Sequence, residues 1–276
     1  EGDIAVNDDN ACAKLEYFVD DTHYIVGKAN SIKVRAGGIA NVSEQGVSID
    51  CDSGEVMRHR KAVIQATTGN LKQVQTYVQG KGLELTGWAT TTLGYDNYGN
   101  LTRVDQPETY NNQHYSLVYT YDTLLNTHIA SISDEPVSVF GYTSTAEYDY
   151  RFGLPTVTVD INDNRLEYDY DSVGRMEAVY GPLAPDESRG AATISFEYDP
   201  DATTPYALTR HLDQNRNTSD TIDTVTFMDG IRRVIQTKKD ISLYRGPTLS
   251  PLETRSVSGH MEYDELARVI AQYYPM

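Results

Sequence analysis

The stretch LEYDYDSVGRMEAVYGP, residues 166–182, decides the fold class of this chain. It places Tyr-Asp before a short variable segment, then a Gly-Arg pair, then residues that alternate between apolar and polar. Asp at a turn entrance accepts hydrogen bonds from backbone N–H groups two or three residues further on. Gly supplies the positive φ that a tight reversal requires, and period-two alternation is typical of a strand. The stretch therefore predicts a β-hairpin.

The same phrase recurs along the chain, which indicates a repeat architecture and not a single site. Each copy has an alternating segment that ends in Tyr-Asp, a turn, and a second alternating segment. Two strands of about six residues, each about 20 Å long, use about 25 residues together with their turns. With Tyr-Asp or its equivalent as the marker, the copies fall at 95, 121, 148, 170, 198, 228 and 263, with spacings of 26, 27, 22, 28, 30 and 35 residues.

The glycine of the turn is not kept in every copy. It is present as Gly69, Gly99 and Gly174. The equivalent position holds Leu125, Arg232 and Ala267 in other copies. Because a residue with a Cβ atom disfavours positive φ, we expect these three copies to use another turn shape.

The composition favours a sheet with solvated faces. The 276 residues include 21 Tyr against 5 Phe and 1 Trp, and Tyr suits a half-buried strand because its ring packs while its hydroxyl reaches a polar partner. The net charge of −17 argues against nucleic-acid binding, which needs clustered Lys and Arg. No run approaches the roughly 20 apolar residues of a membrane helix, and none has convincing helical periodicity. We expect no nucleic-acid partner and no transmembrane segment.

The two cysteines, Cys12 and Cys51, leave two alternatives open. They form a bridge in an oxidising compartment, or they are two unrelated thiols, and such sparse usage favours the second alternative. The histidines show no metal-ligand spacing, and no motif indicates a nucleophile or an acid–base pair. We therefore expect no catalytic residue, no metal and no cofactor. Ca²⁺ or sugar binding by the repeated carboxylates and Tyr rings is a minor alternative to turn capping.

Several repeat copies resemble a known family. EYDYRFG (147–153), YDSVGRMEAVYGP (170–182) and YDELARVIAQYYP (263–275) are similar to the YD-repeat, or Rhs-repeat, proteins of bacteria. More closely, they resemble the repeat region of Rhs polypeptides related to the B and C components of Tc toxin complexes, over about residues 60–276. The resemblance implies a β-sheet strip that spirals into a hollow shell around a C-terminal toxin domain. The family's self-cleavage motif has no counterpart here, so the resemblance implies neither self-cleavage nor toxicity.

The sequence thus predicts an all-β fold of successive antiparallel hairpins in an extended, curved YD-repeat sheet. Residues 1–60 are expected to form an irregular β segment, either the end of a preceding region or the first strands of the sheet, and residues 61–276 the repeat region. The predicted function is structural: a shell segment that encloses or presents a toxin or effector domain elsewhere in the same, longer Rhs polypeptide. That polypeptide and its cargo are the expected partners. The alternative is a cell-surface module that binds carbohydrate or protein.

The parent is expected to be bacterial, and secreted or displayed at the cell surface. Both ends of the chain look like cuts in something longer. The residues predicted to build the repeats are Tyr95, Asp96, Gly99, Tyr121, Asp122, Tyr148, Asp149, Tyr170, Asp171, Gly174, Arg175, Tyr198, Asp199, Tyr263 and Asp264.

Overall fold

The protein is built of β-strands. The computed structural model describes residues 11–36, 39–43, 46–52, 54–78, 87–135, 141–213, 220–247, 249 and 252–275. Within these ranges every regular element is a strand, so the predicted all-β class is confirmed. The described residues contain no helix that is long and apolar enough to cross a membrane.

The chain divides into two compact units, residues 1–143 and 144–276. The strands of unit 1 are β1 (Ala11–Asp20), β2 (Ile25–Ala36), β3 (Ile39–Ser43), β4 (Gly46–Asp50), β5 (Val56–Ile64), β6 (Leu71–Val78), β7 (Gly87–Tyr95), β8 (Leu101–Asp105), β9 (Ser116–Tyr121) and β10 (Ile129–Glu135). Those of unit 2, with β11 starting at the boundary, are β11 (Thr143–Asp149), β12 (Leu154–Val159), β13 (Arg165–Tyr170), β14 (Met176–Leu183), β15 (Ile194–Asp199), β16 (Tyr206–Leu212), β17 (Thr221–Met228), β18 (Val234–Leu243), β19 (Leu252–Val257), β20 (Met261–Tyr263) and β21 (Val269–Gln272).

Neighbours in sequence are neighbours in the sheet. Seventeen of the described strands pair antiparallel in this way, eight in unit 1 and nine in unit 2. In unit 1 the order is β1, β2, β5, β6, β7, β8, β9, β10, and β3–β4 form a separate hairpin between β2 and β5. In unit 2 the strands β11 to β19 pair in sequence, and β20–β21 form a final hairpin. The predicted succession of hairpins is confirmed, and β1 and β2 belong to the same sheet.

Most Tyr-Asp hairpins contain a β-bulge just after their turn. In the β13–β14 pair, Asp169 faces Ala178 while Tyr170 faces Met176, which leaves Glu177 as the extra residue. The pairs β7–β8, β11–β12, β17–β18 and β20–β21 shift register at the same place. A bulge strengthens the local twist and re-aims side chains. The register next to each of these turns is therefore offset by one residue.

The sheet has almost no apolar core of its own. Among the described residues, the buried apolar ones are Cys12, Ala178 and Leu183. Most strand residues are half-buried. Side chains alternate between the two faces of a strand, so Phe196 and Tyr198 point away from the face that carries Glu197. The described part of each unit therefore shows no conventional hydrophobic layer, and other interactions must hold these strands in place.

The expectation of two unrelated thiols is wrong, because Cys12 and Cys51 form a disulfide. Their Cα atoms lie 5.4 Å apart although 39 positions separate them in sequence. The β3–β4 hairpin carries the chain out and back. The Arg35 guanidinium then donates to the Gly54 carbonyl, and β5 pairs with β2. Since Cys12 faces Arg35 across the β1–β2 ladder, residue 51 returns to the start of β1. Composition could not show this, because the contact depends on the path of the chain.

Candidate functional site

The turns that begin at Asp96 and Asp122 in unit 1, and at Asp149, Asp171, Asp199 and Asp229 in unit 2, lie at one edge of the sheet of each unit, and we call this the turn edge. The Asp264 turn closes the separate β20–β21 hairpin. Four of these seven turns share one geometry. In the Asp171 turn, Oδ1 accepts the backbone N–H groups of Val173 (2.9 Å) and Arg175 (2.8 Å). The Asp171 N–H donates to the Arg175 carbonyl, and the Gly174 N–H donates to the Asp171 carbonyl. The same four bonds close the turns that begin at Asp96, Asp229 and Asp264.

The fourth residue of this turn has positive φ whether or not it is glycine. Gly99 and Gly174 have φ of 89° and 83°. Arg232 and Ala267 adopt 68° and 64° at the same position, so the expectation of another turn shape is wrong for both. The left-handed conformation costs a residue with a Cβ atom roughly 1–2 kcal/mol. The two backbone bonds to the Asp carboxylate impose the conformation at that cost.

The Asp122 turn is longer and does differ in shape, as expected for the copy with Leu125. Asp122 is 5% exposed, and its two carboxylate oxygens accept four backbone N–H groups. The donors are those of Leu125 (2.5 Å), Asn126 (3.2 Å), Thr127 (2.9 Å) and His128 (2.8 Å). Burial acts to raise the pKa of Asp122, but these bonds outweigh burial and hold the pKa well below its ordinary value of 3.8. The carboxylate is a fixed anion inside the turn.

Two further Tyr-Asp copies use variants of the cap. Asp149 accepts the Arg151 N–H at 2.9 Å and also pairs with the Arg151 guanidinium at 2.6 Å. Asp199 accepts the Ala202 N–H at 2.9 Å in a longer connection. Tyr148, the partner of Asp149 in sequence, lies half-buried in β11.

The tyrosines of the motif link consecutive hairpins. Five of their hydroxyls donate to a backbone carbonyl at the start of the strand that follows the preceding turn. The pairs are Tyr95 to Leu71 (2.9 Å), Tyr121 to Leu101 (3.0 Å), Tyr170 to Pro155 (2.7 Å), Tyr198 to Met176 (3.0 Å) and Tyr263 to Val234 (3.2 Å). Burial raises the pKa of Tyr121, Tyr170 and Tyr198. These hydroxyls therefore stay protonated and available as donors.

The fifth residue of the turn makes a second link between hairpins. The Arg175 guanidinium donates to Asp171 Oδ2 at 2.6 Å and lies 4.7 Å from the ring centroid of Tyr198 in the next copy. Arg233 repeats this with Asp229 at 2.5 Å and the Tyr263 ring at 4.3 Å.

In the Asp96 turn the fifth residue is Asn100. Its amide donates to Asp96 Oδ2 at 3.0 Å and to the Asn126 carbonyl at 2.6 Å. The fifth residue thus holds its own turn and contacts the next one. Sequence reasoning proposed Arg175 only as part of the turn reversal, and it did not single out Asn100 or Arg233.

A further capped turn of the same geometry was missed, and no tyrosine precedes its aspartate. At the opposite end of β12, Asp160 accepts the N–H groups of Asn162 (2.8 Å) and Asn164 (3.0 Å), and Asn164 Nδ2 donates back at 3.0 Å. Asp163 takes positive φ, 61°. The signal was present as Asp-Ile-Asn-Asp-Asn, five residues with the spacing of the other turns.

The chemistry of the turn edge is that of fixed hydrogen bonds. Each turn contributes one carboxylate whose oxygens accept internal donors, and the tyrosine hydroxyls donate to backbone carbonyls. Across the described residues there is no group of three or more His, Cys, Asp or Glu that could hold a metal ion. The arrangement can align hairpins and keep them in register.

The fold and the turn edge define a class, a repeat-built antiparallel β-sheet closed at its turns by aspartate. Solved chains of Tc toxins have this fold. The chain matches a TcdB2-TccC3 structure over 96% of its own length and 17% of that chain, with 14% identity and a TM-score of 0.63. It matches a TcdB2-TccC3 structure without the hypervariable C-terminal region over 96% and 20%, with 13% identity and a TM-score of 0.61. It matches a chain of the Tc holotoxin pore of Photorhabdus luminescens over 96% of its own length and 19% of that chain, with 13% identity and a TM-score of 0.64.

The resemblance of the repeats to Tc toxin components and the predicted antiparallel β-sheet fold are therefore confirmed. The chain spans about a fifth of the length of the solved chains that it matches. No family model and no curated protein matches the sequence.

Proposed function

We propose that the chain is a structural segment of a YD-repeat β-shell, which encloses or presents a toxin or effector domain elsewhere in the same polypeptide. The observation that carries this proposal is a sheet without a core. Its strands are tied together along the turn edge, while its faces bury only three apolar residues among those described. A wall needs strands in fixed register and does not need a second layer of its own. The turn edge supplies that register.

The edges of the sheet also support a segment of something larger. Among the described strands, β1 pairs with β2 alone and β19 pairs with β18 alone. Unpaired strand edges offer N–H and C=O groups to a further strand. In this proposal the remainder of the polypeptide pairs with them. The membership of β1 and β2 in the sheet supports residues 1–60 as its first strands and residues 61–276 as its repeat region.

The proposed role is non-catalytic, and the proposed location is outside the bacterial cell or at its surface. The Asp carboxylates of the turn edge accept internal hydrogen bonds, which suits capping better than acid–base chemistry. A disulfide between Cys12 and Cys51 suits an oxidising compartment. The cargo and the rest of the polypeptide are its proposed partners.

Protease protection tests the enclosing role. The longer polypeptide would be prepared with Asp171→Ala and Asp229→Ala, which remove two caps of the turn edge, and the digestion rate of the cargo domain would be measured. We expect digestion to accelerate about tenfold or more, because loosened turns open the wall transiently. The matched control is Asp186→Ala with Asp201→Ala, two aspartates on exposed loops. Equal digestion rates for both pairs and the unmodified polypeptide would contradict an enclosing wall.

A further inference from the structure

Unit 1 contains a cleft of about 770 Å³ between its sheet and the loop of residues 106–115. The loop follows β8 and is held by its own bonds. Gln106 N–H donates to the Tyr115 carbonyl and Thr109 N–H donates to the Gln113 carbonyl, each at 2.8 Å. Asn112 takes positive φ, 56°. The cleft belongs to neither the turn edge nor the tyrosine links, so the proposed wall function leaves it unexplained.

An aromatic side chain forms the sheet side of the cleft. Trp88, the one tryptophan of the chain, is 37% exposed. The edges of His59 and Tyr77 meet its ring at centroid distances of 4.8 and 5.4 Å. The Lys61 ammonium lies over the ring, 4.6 Å from its centroid. These contacts fix the indole in one orientation.

A second aromatic ring stands on the loop side. Tyr110 lines the cleft and is 99% exposed. Such exposure leaves its ring without internal packing, although burying an aromatic ring contributes much to stability. Four polar residues line the cleft with these rings, Glu108, Asn112, His114 and Thr90. The Glu108 carboxylate lies 3.4 Å from His114 Nε2. His114 is oriented by Nδ1, which donates to the Gln106 carbonyl at 2.8 Å.

From this combination we infer that the Trp88 cleft binds a neutral oligosaccharide. A sugar ring presents a flat C–H face that stacks on aromatic rings, and its hydroxyls pair with carboxylate, amide and imidazole groups. Few oriented polar groups on an apolar floor are typical of a ligand site. The Lys61 ammonium already occupies the cation position over Trp88, which disfavours a cationic ligand. The Glu108 carboxylate and the net charge of −17 disfavour an anionic one.

Fluorescence provides a direct test, because Trp88 is the sole tryptophan and reports on the cleft alone. The chain would be titrated with N-acetylchitotriose, cellotetraose, maltotetraose and mannotriose, and saturation-transfer NMR would record contact with each sugar. We expect at least one of the four to change the Trp88 emission in a saturable way. Tyr110→Ala should weaken its binding about tenfold or more, because a stacked ring is lost. Tyr110→Phe, which keeps the ring, should retain most of it.

The matched control is Tyr98→Ala, since Tyr98 is 71% exposed on the Asp96 turn and lies outside the cleft lining. Circular dichroism would establish that all variants fold. Binding that survives Tyr98→Ala and is weakened in Glu108→Gln, and about tenfold or more in Tyr110→Ala, supports the inference. No response to any of the four sugars at about 20 mM would overturn it. So would equal affinity in Tyr110→Ala, or binding of heparin or oligolysine in place of neutral sugars.

Discussion

Unit 1 and unit 2 cap their hairpins with the same aspartate but tie neighbouring hairpins together by different chemistry. In unit 1, Asn100 donates to the carbonyl of Asn126 in the next turn. In unit 2, Arg175 and Arg233 lie over the tyrosine rings of the next copies. Asn and Arg at the fifth turn position are therefore two ways to contact the next hairpin. The comparison teaches that the residue after the left-handed position contacts the following hairpin in both units, through a backbone carbonyl or through a tyrosine ring.

The units also differ in a covalent link. The Cys12–Cys51 disulfide closes a loop in unit 1, and the chain has no further cysteine for unit 2. Unit 1 alone should therefore respond to reductant. Trp88 lies in unit 1 and reports on its unfolding separately.

Reduction should give the largest effect and the sharpest difference between the units. A closed loop of 39 positions stabilises by about 4 kcal/mol through the lost entropy of the unfolded chain. We expect reductant to lower the unfolding midpoint of unit 1, as measured by Trp88 fluorescence. The calorimetric transition of unit 2 should stay at the same temperature. The Cys12→Ser, Cys51→Ser double variant should melt like the reduced chain and ignore reductant. A midpoint that reductant does not move would contradict the bridge.

Two glycine substitutions compare the turns themselves. A Cβ on Gly174 would lie 2.9 Å from Phe152 Cδ1, at φ +83°. At Gly99, with φ +89°, no atom described lies within 4 Å of that position. Gly174→Ala should cost about 2–3 kcal/mol, from strain and contact together, and Gly99→Ala about 1 kcal/mol from strain alone. Urea unfolding measures both, and equal losses would show that Phe152 moves aside without cost.

Acid should weaken both units through their capped aspartates. The folded pKa values of Asp96, Asp122 and Asp171 are lowered from 3.8. A lowered folded pKa gives stability that is fully present above pH 3.8 and is lost progressively as the pH falls below it. We expect the melting temperature to fall steeply below pH 4. Asp122→Asn should melt lower at neutral pH and show a shallower acid dependence, and an unchanged acid slope would argue against the cap.

The smallest effects should come from the fifth turn position. Arg175→Ala loses the contact with Tyr198, and Asn100→Ala loses the bond to Asn126, so each should lower the melting temperature by about 2 °C. The melting temperature of Arg175→Lys should lie between those of the unmodified chain and Arg175→Ala, because Lys keeps the charge but not the planar guanidinium. Arg58→Ala, at an exposed position of β5, serves as a matched exposed control. If Arg175→Ala and the control melt alike, the guanidinium contact contributes nothing measurable.

The repeat period and the alternation were sufficient to predict strands and hairpins, because both signals lie within about 25 residues. The turn cap was predictable for the same reason, although its bonds reach residues two and four positions on. The positive φ of Arg232 and Ala267 was not predicted, since residue preference alone argues against it. There the aspartate cap overrides the preference of the fourth residue.

The links between hairpins were beyond reach of the sequence. The β14–β15 pairing brings Arg175 and Tyr198 together. A single sequence does not show which tyrosine ring contacts which guanidinium. The disulfide likewise depends on the excursion of the β3–β4 hairpin. The Trp88 cleft was not predicted from the sequence, because its two aromatic rings come from separate elements, β7 and the loop after β8.

Amide hydrogen exchange, resolved by NMR, tests the central claim most directly: that capped turns, and not a core, hold the hairpins. The N–H groups of Arg175, Arg233 and His128 donate to aspartate carboxylates, whereas Ser188 and Gly190 lie on an exposed loop. We predict that the three turn amides exchange at least about a hundredfold more slowly than the loop amides after correction for intrinsic rates. Exchange of turn and loop amides at the same rate would contradict the account.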